Sequence, residues 1–309
     1  MKNSDFENSN LFSASDFGFW ILILGLFVGW LSILITNFFG FSVVPVALYF
    51  WLIPAMSYIL ASPPQGANRN PPLGWNRGYT SGILVVLILF AIGYLLFAIG
   101  KFWYADARFN RAYQFARAGY YKEAYEPFHQ AISLNPSEPF YRDELSYTTA
   151  VLAVAAFEQK EASLAGQLAQ EAITQNKIAL TTSPNNVNFW KTRTKVFYAL
   201  STIDKKYNEE ALESLLIAQK LAPTEAKIAY NLGLLYGRVG NSQMAIKTLE
   251  ETISLKPNYG DARYALALYY NEAGRQPEAI EQLEYILTKI ATDAPEVKEK
   301  FKEWSALSP

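Results

Sequence analysis

The chain has 309 residues, 51% hydrophobic and only 18% charged, against roughly 25% charged in an average soluble domain. Its formal net charge of −1 sets a nucleic-acid partner aside, and the absence of cysteine excludes disulfides, Fe–S clusters and thiol nucleophiles. With one histidine, His129, there is no zinc site of the usual ligand types.

The charges are unevenly placed. Residues 1–100 hold only six of them (Lys2, Asp5, Glu7, Asp16, Arg69 and Arg77). After a polar tail, residues 1–17, no charge occurs between Asp16 and Arg69 for 52 residues, nor between Arg77 and Lys101 for 23. A membrane-spanning helix needs about 20 apolar residues, so a soluble enzyme is excluded as the whole answer. A membrane domain is expected over 18–103, with spans at about 18–37, 42–61 and 81–102 and a loop over 62–80. The first two spans read as a helical hairpin broken at Asn37-Phe38-Phe39-Gly40-Phe41, and Pro54 should kink the second. The loop, with four prolines, three glycines and three asparagines, is a composition for irregular surface chain.

Trp20, Trp75 and Trp103 fall beside span ends, where an indole prefers the headgroup layer. Gly25 and Gly29 form a GxxxG pair that can admit a second helix closely. A signal peptide fits poorly, because the flank carries Asp5, Glu7 and Asp16. The cations at the two membrane faces, Lys2, Arg69 and Arg77 against Lys101, Arg108, Arg111 and Arg117, leave the sidedness open. No proline interrupts 81–118, which predicts one helix of about 38 residues running from the third span into the polar half, with Gly93 and Gly100 its weak points.

The polar half repeats itself. Pro223 and Pro257 lie 34 residues apart, and Leu232, Gly233, Tyr236, Gly240, Ala245 and Leu249 recur as Leu266, Ala267, Tyr270, Gly274, Ala279 and Leu283. This is the tetratricopeptide (TPR) period. A third unit carries Ala112, Phe115, Gly119, Tyr121, Ala124, Phe128, Ala131 and Pro136. A fourth carries Trp190, Phe197, Ala211, Leu215, Ala218 and Pro223, with about five extra residues near 202–208 relative to the repeat period. Residues 138–184 are helical by period but lack the turn glycine and exceed the repeat by about 13 residues. Small residues let the two helices of a unit cross closely, and glycine supplies the positive φ of the short turn. No unit buries its apolar face alone, so neighbours must stack. The expected fold is all-α: three transmembrane helices, then a TPR-type α-solenoid of about five helix pairs (104–137, 138–184, 185–223, 224–257, 258–291), then a capping helix and tail over 294–309.

Such a solenoid binds along the face lined by the first helix of each pair. The register places there Phe109, Tyr113, Phe140, Tyr147, Lys191, Lys195, Tyr198, Tyr230, Asn231, Arg238, Tyr264 and Asn271. Aromatics alternating with cations and amides suit a protein or extended peptide, or sugar rings; the competing role for several aromatics is packing between repeats. His129 falls on a second helix and reads as a solvated surface histidine. The pairs Glu209-Glu210 and Glu250-Glu251 read as helix-surface charge. There is no phosphate loop, dinucleotide turn or nucleophile elbow, and no catalytic, cofactor or metal site is assigned.

The order of parts, with NFFGFSVVP (Asn37–Pro45) in a hydrophobic hairpin, a Pro/Asn loop, one more span and then the repeats, resembles the C-terminal portion of bacterial O-antigen ligase and polymerase-like membrane proteins. The resemblance implies a multi-pass location in the cytoplasmic (inner) membrane and a place in cell-surface polysaccharide assembly. The large catalytic loop of those proteins has no counterpart here, so no catalytic residue is carried over. Two expectations follow: a membrane-anchored scaffold for protein partners, with membrane lipid around its spans, or the C-terminal part of a split glycan transferase acting with a polytopic catalytic subunit.

Overall fold

The computed structural model describes residues 77–307, with side chains described from 86 onward except 88. The tail, the spans at 18–37 and 42–61, most of the 62–80 loop and the Gly25/Gly29 pair lie outside the described residues. Within them the chain is all-α, with eleven helices, one π-helical turn and no strand.

Helix α1 runs without a break from Arg77 to Arg117, 41 residues, or about 60 Å at ~1.5 Å per residue. Neither Gly93 nor Gly100 interrupts it, and a Cβ at either would meet nothing within 4 Å. Part of it, Leu89–Arg117, is the one stretch among the described residues long and apolar enough to cross a membrane. Its apolar side chains are exposed on all sides: Phe90 is 78% and Phe97 70% exposed. No other described element covers this end of the helix.

From Ala105 onward the same helix changes role. Ala105 and Ala112 are fully buried against Ala124, Phe128, Ala131 and Ile132 of α2 (Tyr121–Leu134) and Tyr141 and Leu145 of α3 (Pro139–Glu158). Alternating helices follow: α4 (Ala162–Thr182), α5 (Val187–Leu200), α6 (Tyr207–Leu221), α7 (Ala226–Arg238), α8 (Ser242–Leu255), α9 (Gly260–Glu272), α10 (Gln276–Tyr285) and α11 (Pro295–Leu307). The end of α1 with α2, then α3/α4, α5/α6, α7/α8 and α9/α10, form five helix pairs, and α11 covers the last with Val297 and Trp304.

Local chemistry sets the boundaries. Gly119, Gly240 and Gly274 close the short turns within three pairs at φ 85°, 83° and 75°, a state that glycine enters without steric cost. In the long pair α3/α4 the same place is taken by Lys160 at φ 64°. The extra residues near 202–208 form the wider turn between α5 and α6. Asn186 and Asn241 accept a backbone N–H of the helix they precede, at 3.0 and 3.1 Å, which satisfies an otherwise orphaned donor. Gly233 lies against Leu249, whose Cγ would be 2.8 Å from any added Cβ, so α7 and α8 cross at that point. The π-turn Ile286–Ile290 ends α10, its Ala291 N–H reaching back to the carbonyl of Ile286. That register buries Ile286 and sets Ile290 against the same core.

Candidate partner-binding face

Eleven of the twelve side chains expected on the partner-binding face divide into three groups, and the twelfth, Tyr147, meets Tyr121 edge-on at 6.3 Å. Phe109 belongs to packing: its ring lies 4.7 Å from Tyr141, 5.3 Å from Phe140, 5.6 Å from Phe128 and 5.8 Å from Tyr113. It joins the first helix pair to the second, and Tyr113 and Phe140 flank it. Tyr230 likewise packs against Tyr259 at 5.1 Å. These aromatics act between repeats, with Phe140 keeping 40% of its surface exposed beside Phe109.

In the second group, Lys191 and Tyr264 are tied by polar bonds to the neighbouring unit. Lys191 Nζ donates to Glu225 Oε1 at 2.8 Å, bridging α5 to the residue that precedes α7. The Tyr264 hydroxyl donates to Glu296 Oε1 of α11 at 2.8 Å; burial, then that bond and its charge, push the phenol up to about 12. Asn231 and Asn271 are half-buried on α7 and α9.

The third group is open. Lys195 and Tyr198 lie one turn apart on α5, both exposed, Tyr198 at 48%. Lys195 Nζ stands 5.8 Å from the ring of Tyr147 on α3. Arg238, on the last turn of α7, lies over Tyr198 at 4.4 Å; its Nε donates to Asn208 Oδ1 at 2.9 Å and its Nη2 to Ser201 Oγ at 3.1 Å. The guanidinium is therefore held in one orientation by neutral acceptors and an aromatic face. Among the described residues neither Lys195 nor Arg238 makes an ion pair. Two cations beside an exposed tyrosine, with the arginine already oriented, can grip an anionic or aromatic group at little ordering cost.

Beneath this face lies a buried polar network absent from the expectations. Asp143 of α3 is 2% exposed; its Oδ2 accepts from Thr192 Oγ1 at 2.8 Å and its Oδ1 from Asn176 Nδ2 at 3.1 Å. Asn176 also donates to the Phe189 carbonyl and accepts from Arg193 Nη1. The network thus fastens α3, α4 and α5 together. Burial pushes the Asp143 carboxyl up to about 7, with Glu144 adding to the rise and Thr192, Asn176 and Lys195 opposing it. A shifted carboxyl in a cleft would be a catalytic candidate, but this one is sealed from solvent and its bonds are structural. The sequence carried no signal for it, because the equivalent places in the other units hold Lys191, Tyr230 and Tyr264.

His129 lies on a second helix, α2, but is not simply solvated. Its Nε2 is 2.9 Å from Glu171 Oε1 of α4, and Tyr125 donates to Glu171 Oε2 at 2.7 Å. Stacking of α2 on α4 brings these groups together across 42 residues of sequence, which periodicity within one unit does not reveal. Burial raises the Glu171 pKa, but the bonds from His129 and Tyr125 outweigh it and hold the carboxyl below its ordinary value. Glu209 and Glu210 occupy the first turn of α6, where the helix dipole favours them. Glu250 accepts the Tyr270 hydroxyl at 2.6 Å.

No family model and no curated protein matches the sequence. Several solved structures are similar. TTC0263, a thermophilic TPR protein of Thermus thermophilus, is 22% identical with a TM-score of 0.45, over 65% of this chain and 99% of that one. The pilF protein of Pseudomonas aeruginosa is 17% identical with a TM-score of 0.48, over 67% and 90%. YrrB, a TPR protein with an unusual peptide-binding site, is 16% identical with a TM-score of 0.45, over 63% and 90%. The likeness is one of fold. The TPR-like character of the array stands on its own helix pairs, turn glycines and close crossings.

Proposed function

We propose that this chain is a membrane-anchored TPR-type scaffold that holds a protein or peptide segment against the face formed by its first helices. The observation that carries this reading is the open Lys195–Tyr198–Arg238 cluster, where Phe109 and Tyr230 are engaged in packing and Lys191 and Tyr264 in bonds between units. The exposed apolar length of α1 supports the anchor, and the cytoplasmic membrane is its proposed location. The resemblance in order of parts supports a setting in cell-surface polysaccharide assembly, beside a polytopic glycan-transferring subunit.

The test is co-purification from native membranes in gentle detergent, comparing the native chain with Lys195→Glu/Arg238→Glu. Reversal of two charges that meet a partner should weaken its retention on the order of 100-fold. Unchanged retention of every partner contradicts the binding face. Recovery of a glycan-transferring membrane subunit in stoichiometric amount supports the polysaccharide setting, and its absence from the retained proteins contradicts that setting while leaving the scaffold.

A further inference from the structure

The point where α1 leaves its apolar stretch has a chemistry of its own. Lys101, Tyr104, Arg108 and Arg111 follow one another at intervals of three, four and three residues, so they share one stripe of the helix. Side chains on a helix lean toward its N-terminus, which here is the apolar end. Arg108 does so: its guanidinium sits over the Tyr104 ring at 5.0 Å, and Nε and Nη2 donate to the Tyr104 hydroxyl at 2.9 and 2.6 Å. Its charge is thereby carried down to the level of Tyr104, three residues or about 5 Å above Lys101. That is the thickness of one headgroup layer, roughly 5–7 Å. Trp103, 43% exposed, stands at the same level.

The only acidic residue between Lys101 and Arg117 is Asp106, and it takes the Tyr141 hydroxyl on the side of α1 that faces the array. Among the described residues Lys101 and Arg108 make no ion pair. A tyrosine that orients one guanidinium, a lysine one turn below and a tryptophan alongside have the chemistry of a phosphate site at a bilayer surface.

We propose that Lys101, Tyr104 and Arg108 bind the phosphate of an anionic phospholipid and so seat the first helix pair directly on the membrane. The proposal rests on the reading of α1 as a membrane span. Ala105, one residue beyond Tyr104, is already in the core of the array, so lipid binding at this stripe fixes the scaffold's height above the bilayer without a linker.

The test uses the full chain in nanodiscs of equal palmitoyl-oleoyl-phosphatidylglycerol and palmitoyl-oleoyl-phosphatidylcholine, with retained lipids counted by native mass spectrometry. The native protein should retain phosphatidylglycerol in preference. Two cations at about fivefold each set the expected loss of that preference in Lys101→Gln/Arg108→Gln at about 25-fold, with Lys101→Arg/Arg108→Lys keeping most of it. An unchanged preference in the glutamine variant, or no preference in the native chain, overturns the site. Alkaline carbonate extraction of native membranes that carry the full chain separates the two readings. Release of the native chain defeats the anchor itself, whereas retention with no lipid preference defeats only the headgroup site.

Discussion

Asp143 shows how much a single residue can set here. Its folded pKa of about 7 lies above the unfolded value near 3.8, so the folded state holds the extra proton between those values. Its own contribution to stability is therefore fully present below the unfolded value and is lost as pH rises through about 7, by on the order of a few kcal/mol. Glu171 has the opposite sign: its folded pKa is lowered, and its contribution is lost as pH falls. Asn at 143 can keep both bonds, accepting from Asn176 and donating to Thr192. Asp143→Asn should thus flatten the fall above pH 5 in denaturant titrations, leave the acid limb set by Glu171, and be more stable than the native protein at pH 8. A profile unchanged from the native one contradicts the buried, shifted carboxyl. Lys160 offers a second case, since a non-glycine residue at φ 64° carries a steric cost of about 1–2 kcal/mol. Lys160→Gly should stabilise by up to about 1 kcal/mol after the added unfolded-state entropy is subtracted. A loss of stability would show that the lysine side chain does more than close the turn.

At the scale of helices, the sequence was legible wherever small residues mark a crossing or a turn. Pro223, Pro257, Gly240 and Gly274 punctuate the pairs α7/α8 and α9/α10, and Gly233 is where α7 meets α8. The long pair α3/α4 was legible as helix and as excess length. Its turn was not, because lysine occupies a backbone state that glycine normally advertises. The π-turn after α10 has no sequence mark beyond the need to keep both Ile286 and Ile290 on the core. Gly237 reads in the sequence as one more glycine of the repeat, but its particular reason lies in the next unit: a Cβ there would overlap the Tyr269 hydroxyl of α9. Gly237→Ala should displace that tyrosine and cost about 1–3 kcal/mol of stability, measured by thermal unfolding. Gly166, where a Cβ meets nothing, is the control, and Gly166→Ala should be neutral or stabilising by up to about 1 kcal/mol. Equal effects at the two positions would contradict the α7–α9 contact.

For the whole molecule, the face residues could be placed on first helices from the 34-residue register, but their availability could not. Phe109, Tyr230, Lys191 and Tyr264 satisfy the same periodicity as Lys195, Tyr198 and Arg238, and only the three-dimensional neighbours separate the committed from the open. In the proposed function a partner lies on the open cluster of a membrane-held array. This reading is tested most directly by placing a photo-crosslinking amino acid at Tyr198, and at the exposed Lys247 of second helix α8, in the full chain in native membranes. One dominant protein cross-link is expected from Tyr198, abolished by Lys195→Glu/Arg238→Glu and absent from Lys247. Cross-links of equal yield and identity from both positions, or a Tyr198 product indifferent to the charge reversals, would contradict it.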